Sequence, residues 1–131
     1  MRIGRGRAIG VAAVLLLPAC SSHRPPAAPG LVPAIGTVVL GRASWYGPGY
    51  DGKRTASGER FDQDDLTAAH GSWAFGTRVR VTLLSSGRSV IVRINDRLPR
   101  RDRVIDVSRG AARRLGLIGP GTGRVRLEVV G

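Results

Sequence analysis

A small all-β domain, a closed barrel of about six short strands with one short helix, is the fold class this sequence predicts, and three observations predict it. Apolar residues recur with a period of two, as in Val79, Val81 and Leu83 and again in Val90, Val92 and Ile94. The runs are short and are punctuated by Gly, Asp and Ser, while a single stretch around Ala111, Ala112 and Leu115 carries helical spacing. This texture covers residues 37–131, about 95 residues, and a sheet of that size hides its edges best by closing on itself.

The chain ahead of residue 37 reads differently. Arg2, Arg5 and Arg7 precede an apolar run from Ala8 to Leu17, and Leu17-Pro18-Ala19-Cys20 follows, the order of an export signal. The apolar run is too short to span a bilayer, which takes roughly 20 residues. Residues 1–19 are therefore expected to be a leader that is removed. The sole cysteine, Cys20, stands at the cleavage position, and the string resembles the bacterial lipobox, in which that cysteine is acylated and becomes the new N-terminus; an ordinary leader with an incidental cysteine is the alternative. Residues 20–36 hold Pro25, Pro26, Pro29 and Pro33 among small residues, and read as an extended tether that buries little.

Within the barrel, Thr37 to Tyr46 is the first strand, ending in Trp45 and Tyr46, read as an exposed aromatic pair. Gly47 to Gly58 is a glycine-rich loop, and Leu66 to His70 a short strand. Arg78 to Leu83 alternates Val79, Val81 and Leu83 against Arg78, Arg80 and Thr82, and Ser85-Ser86-Gly87 turns the chain into Ser89 to Asn95, which makes a hairpin. Val104 to Val107 is a further strand. Ser108 then caps a helical turn or two that Gly116 stops, and Arg124 to Val129 closes the domain with Val125, Leu127 and Val129 inward.

The chain carries a net charge of +12, with twenty arginines against one lysine. A surplus of this kind favours anionic surfaces. In an exported protein those are acidic wall polymers, lipid head groups or other envelope proteins, and nucleic acid lies in the wrong compartment; a solvated basic face is the alternative. The glycine-rich loop has no phosphate-binding pattern, no His or Cys cluster has metal spacing, and no serine occupies a nucleophile elbow, so neither a metal nor a cofactor is expected.

Four polar groups near strand ends remain as candidates for chemistry: Glu59, His70, Asp96 and Asp106. A carboxylate at a barrel rim sits on a rigid support beside a cleft, which suits general acid or base work. Each has a plainer reading. Glu59 could be a solvated loop charge, His70 a hydrogen-bonded core residue, and Asp96 a partner of Arg97 or a turn cap. Asp106, just ahead of Ser108, is expected to bond the free amides of the helix start.

Six strings in order, Gly41-Arg-Ala-Ser-Trp-Tyr-Gly47, Arg54-Thr-Ala-Ser-Gly-Glu59, Leu66-Thr-Ala-Ala-His70, Val90-Ile-Val-Arg-Ile-Asn-Asp-Arg97, Val104-Ile-Asp-Val-Ser108 and Gly123-Arg-Val-Arg-Leu-Glu128, resemble the RlpA family. The resemblance implies a double-psi β-barrel, related to barwin-like and expansin domains. It also implies lytic cleavage of peptidoglycan strands, peptide-poor ones above all, between N-acetylmuramic acid and N-acetylglucosamine, leaving 1,6-anhydro ends. The family's acidic and histidine positions fall on Glu59, His70 and Asp96. Trp45, Tyr46, Arg97 and Asp106 are then expected to contact substrate, with Asp96 moving the proton. The partners expected are glycan strands and, through Cys20, the membrane of the cell envelope, with the protein a monomer. Leu98 replaces a usual glycine, Arg100 stands where an aromatic is common, Tyr50-Asp51-Gly52 lacks a histidine often found there, and no glycan-binding repeat follows Val129. A barrel that binds glycan without cutting it, as expansin-like modules do, and a structural envelope lipoprotein are the competing readings.

Overall fold

The computed structural model describes residues 30–131 together with residues 10, 12 and 13. The expected leader, Cys20 and most of the tether lie outside the described residues. Six strands and one helix follow in order: β1 (Val38–Tyr46), β2 (Thr67–His70), β3 (Arg78–Leu83), β4 (Ser89–Arg97), β5 (Ile105–Ser108), α1 (Arg109–Leu115) and β6 (Thr122–Val129). They close into a barrel in the order β1-β5-β2-β4-β3-β6. β1 runs parallel to β5 and β2 parallel to β4, and the other neighbours are antiparallel.

The period-two pattern explains which side chains go inward. Val79, Val81 and Leu83 of β3, Val90, Val92 and Ile94 of β4, and Val125, Leu127 and Val129 of β6 are all buried in one core with Ile105 and Val107. Leu115 and Leu117 close it from the helix side, each fully buried and each contributing about 2 kcal/mol by removal from water. Every buried hydrophobic side chain among the described residues lies between Ala43 and Val129, and the sheet closes within residues 38–129. Residues 30–131 therefore hold a complete core and fold as a unit.

α1 starts and stops as its sequence predicts. Ser108 accepts from the Ala111 amide at the N-terminus, and Gly116, at φ 76°, takes the left-handed conformation that ends the helix. Asp106 has no part in this cap. It lies in the middle of β5, two residues before the cap, where its side chain turns to Arg103 and Ser44 instead. The expectation that Asp106 bonds the helix amides is therefore corrected, because the hydroxyl of Ser108 already fills that role.

One irregularity positions the site. β2 and β4 pair as Ala68 with Ile94 but Ala69 with Asp96, so β4 carries an extra residue at Asn95. In a strict alternation Ile94 inward would send Asp96 inward as well. The bulge keeps Asp96 on the outer side, while the buried Asn95 side chain bonds Glu59. The strand also runs two residues past the Asn95 end expected from sequence.

The end of the tether is held against the barrel by its backbone. Leu31 forms a parallel bridge with Trp73, and the Gly36 amide donates to the Val129 carbonyl at 2.8 Å. Gly30, at φ 87°, passes so close to the Arg97 guanidinium and the Ser72 carbonyl that no Cβ fits there.

Candidate active site

Ser44, Asp106, Ala69 and Asp96 line up across β1, β5, β2 and β4, each register partner of the next. Their neighbours Ala43, Ile105, Val107, Ala68 and Ile94 are in the core. This row thus runs across the outside of the barrel. A cleft of about 270 Å³ lies over it, lined by Tyr46, Tyr50, Ala69, Asp96, Arg97, Leu98, Pro99 and Asp106.

The carboxylate of Asp96 is held asymmetrically. Oδ1 accepts from the Ala56 and Arg97 backbone amides, both at 2.9 Å, whereas among the described residues Oδ2 has only the Tyr46 hydroxyl at 3.4 Å. Two amide donors fill Oδ1 and fix the plane of the group, so Oδ2 is the oxygen left to exchange a proton with a ligand in the cleft. Among the described residues no guanidinium lies within ion-pair distance of Asp96. Arg97 points elsewhere, donating to the Trp73 carbonyl at 2.7 Å and lying 4.0 Å over the Phe75 ring. Burial lowers its pKa, an effect that nearby Asp96 partly offsets.

Asp106 is the second carboxylate of the row. Arg103 grips it with two hydrogen bonds of 2.8 and 2.9 Å, and Ser44 Oγ donates to Oδ1 at 2.8 Å. Both oxygens are thus engaged as acceptors in a bidentate pair. Two strand spacings, about 10 Å, separate its backbone from that of Asp96.

Glu59 does not line the cleft. It lies in a loop closed by the Arg54–Arg60 bridge, the Thr55 amide to the Glu59 carbonyl at 2.8 Å, and Gly58 at φ 92°. Its Oε1 accepts from Asn95 Nδ2 at 2.6 Å and Arg93 Nη1 at 2.7 Å. Burial pushes the carboxyl up, but the hydrogen bonds from Arg93 and Asn95 outweigh that and hold its pKa below the usual value. Glu59 therefore pins to β4 the same loop whose Ala56 amide holds Asp96.

His70 does not line the cleft either, but follows Ala69 and pairs with Arg97, which do. Its Nδ1 accepts from the Ser72 and Trp73 amides, both at 3.1 Å, and its ring stacks on Trp73 at 4.0 Å. Burial, with the positive charge of Arg97 adding to it, brings its pKa down to about 4. At neutral pH the ring is uncharged, Nδ1 is the acceptor, and the proton sits on Nε2. Glu59, Asp96 and His70 thus meet at the end of β4, on Asn95, Asp96 and Arg97 in turn: Glu59 bonds Asn95, and His70 is the register partner of Arg97.

The two aromatics at the end of β1 separate. Tyr46 faces the cleft, stacked on Phe61 at 4.5 Å and edge-on to Tyr50 at 5.6 Å. Burial, then the charges of Asp96 and Asp106, push its phenol pKa upward, so it stays a donor. Trp45, one residue earlier, packs partly buried against the core, because alternate residues of a strand face opposite sides. The expectation of an exposed pair is corrected to one aromatic in the cleft and one against the core. Leu98 forms part of the cleft wall and is buried, while Arg100 stands in solvent. Phe61 and Arg103 were not singled out from sequence, and Ser44, Tyr50 and Ala56 stood there only as members of longer strings, with no role of their own. Nothing in their local patterns marks them, since they matter through strands and loops distant in the chain.

A small closed barrel bearing an acidic cleft across its parallel strands is the class of domain these features define. Solved structures share the fold: a Streptomyces papain inhibitor superposes with a TM-score of 0.63 at 24% identity, covering 76% of this chain and 99% of that one. An expansin from Clavibacter michiganensis, solved with cellohexaose, gives 0.60 at 23% identity over 72% of this chain and 51% of its own. The sequence profile described as lytic transglycolase matches residues 38–127, and the chain belongs to that double-psi barrel family. Among its relatives are the probable endolytic peptidoglycan transglycosylase RlpA of Synechocystis, 60% identical over 91 residues, and the endolytic peptidoglycan transglycosylase RlpA of Campylobacter jejuni, 50% identical over 101. These alignments cover 69% and 76% of this chain but only 28% and 37% of the relatives, so the chain matches about a third of their length.

Proposed function

We propose that this barrel is a lytic transglycosylase that cuts peptidoglycan glycan strands between N-acetylmuramic acid and N-acetylglucosamine, leaving 1,6-anhydro ends. The observation that carries the reading is Asp96, a carboxyl lining a cleft with one oxygen locked by two amides and the other held only by a long contact with the Tyr46 hydroxyl. The names of the relatives, transglycosylases acting on peptidoglycan, support the substrate class.

One such group is enough for this reaction. Protonated Asp96 gives its Oδ2 proton to the glycosidic oxygen as the C1–O bond breaks. The sugar's own C6 hydroxyl bonds to C1, and the resulting Asp96 carboxylate takes the C6 proton. No water enters, so the pair of free carboxylates that ordinary glycosidases use is not required. That accords with Asp106 being occupied by Arg103 and Ser44. Neutral His70 donates from Nε2 to a sugar oxygen, Tyr46 and Tyr50 offer ring faces to sugar, and Glu59 positions the loop that aligns Asp96. Cys20 is acylated in this reading and ties the domain to the cell envelope as a monomer.

Digestion of purified, peptide-stripped glycan strands with mass analysis of the products tests the reading. Products with anhydro ends are expected. Binding of the strands without any cleavage assigns the barrel to the expansin-like, non-cutting class, and reducing ends without anhydro sugar make it a hydrolase.

A further inference from the structure

We propose that the outer face of β6, β3 and the first half of β1 docks on an anionic lipid surface. This face belongs to the half of the closed barrel opposite the cleft, which spans β1, β5, β2 and the end of β4. It is independent of the cleavage reading and of Cys20.

The outward positions of these strands are dominated by arginine. Arg42 stands opposite Arg124, Leu40 opposite Arg126, and Val38 opposite Glu128, while Arg80 pairs with Glu128 from the other side. At the next strand boundary Arg78 is opposite Arg93, which is itself paired with Glu59 and Asp65 beyond the edge of this face. Glu128 is the single acidic residue on β1, β3 and β6, and it bonds both Arg126, at 2.8 Å, and Arg80, at 3.4 Å. Like charges directly opposite one another on a sheet disfavour folding. A face that stacks them and supplies one carboxylate is complementary to an external anion rather than to itself.

Aliphatic side chains decide between a lipid surface and a soluble acidic polymer. Val38 is 44% exposed and Leu40 58%, and both lie on the same outward side as the arginines. Ile35, 77% exposed, precedes them, next to Gly36, whose amide is bonded to the end of β6. An acidic polymer in water offers nothing to bury such residues. A bilayer interface takes aliphatic tips into its acyl boundary while arginines reach its phosphates. Docked in this way, the barrel turns its cleft away from the membrane.

Residues 30–131 contain no cysteine, which makes the test direct. Co-sedimentation with vesicles of mixed neutral and anionic phospholipid, against vesicles of neutral lipid alone, is expected to show binding to the anionic ones. Arg80→Gln, Arg124→Gln and Arg126→Gln should each weaken it about fivefold, and Leu40→Ser about tenfold. An environment-sensitive dye on Leu40→Cys should shift to the blue on binding, while the same dye on Lys53→Cys, in the loop beside the cleft, should not. Equal binding to neutral and anionic vesicles overturns the proposal. So does a Leu40→Ser variant that binds as wild type while a soluble polyanion competes vesicles away, which makes the face a polymer site. A blue shift at position 53 alone overturns it too.

Discussion

On the β1-β5-β2-β4 side of the barrel every carboxylate of the central row has donors built around it. On the β4-β3-β6-β1 side arginines stand opposite arginines. Asp106 is saturated by Arg103 and Ser44, and Asp96 has one oxygen filled by two amides. Across the barrel, Arg42 faces Arg124, and Glu128 alone stands between Arg80 and Arg126. The same sheet geometry thus serves two ends. Where a charge must keep a fixed position, the fold surrounds it; on the far side two arginines share one carboxylate and positive charge is left in excess.

The largest effect is expected at the one oxygen the first side leaves open. Asp96→Asn keeps an acceptor for the Ala56 and Arg97 amides, so the barrel should melt as wild type and still bind glycan. Its cleavage rate should fall about 10²–10⁴-fold, because an amide cannot shuttle the proton. Full activity in Asp96→Asn, with loss in Asp106→Asn, would move the chemistry to the other carboxylate.

Removing a built partner should cost stability rather than chemistry alone. Arg103→Leu strands the Asp106 carboxylate, whose side chain is only 13% exposed, and should destabilise the fold by about 3 kcal/mol in denaturant titration. The double variant with Asp106→Asn should recover part of that loss. A single variant as stable as wild type would mean the pair is not what holds the row.

His70 gives a smaller, pH-dependent effect. Its folded pKa of about 4 lies below the ordinary 6.5, so the unfolded chain takes up a proton between those values and the folded one does not. The stability associated with the neutral ring is fully present above pH 6.5 and is lost as pH falls toward 4. After allowance for partial exposure this amounts to roughly 2 kcal/mol. His70→Ala should be less stable at pH 7 and should show a flatter slope between pH 6.5 and 4.5. Below that range the lowered pKa of Glu59 adds a further loss in both proteins.

The smallest effect has the opposite sign. Arg124→Gln removes a like-charge neighbour of Arg42 and should stabilise the barrel by about 0.3 kcal/mol at low salt, a gain that added salt erases. A loss of stability would show that the arginines of this face support one another through contacts within the fold.

Much of the barrel was legible because period two reports sidedness directly. It marked Val79, Val81 and Leu83, and it gave the hairpin that joins β3 to β4. Ser108 and Gly116 marked the helix ends through their own chemistry. Periodicity carries no information on which strands become neighbours, so the closure order and the parallel β1/β5 and β2/β4 pairs could not be read from it. For the same reason the Ser44–Asp106–Ala69–Asp96 row was hidden, and with it the engagement of Asp106 by Arg103. Trp45 and Tyr46 were assigned to one surface although adjacent strand residues must face opposite ways. Glu59, Asp96 and His70 are marked by their place near strand ends and by motif, and their division into one group in the cleft and two beside it follows from how the strands meet in space.

The extra residue at Asn95 also sets how this strand tolerates changes in length. A substitution at Asn95 would cost its hydrogen bond to Glu59, a local loss. Deleting it would restore strict pairing with β2 and leave the next carboxylate opposite Ala69 on the outer side, but would remove the amide that anchors Glu59. The extra residue thus adds an anchor for the Glu59 loop beside the carboxylate without moving the carboxylate from its outer place. One residue fewer in β4 would keep the barrel and its carboxylate in place while releasing the loop whose Ala56 amide holds Oδ1 of Asp96.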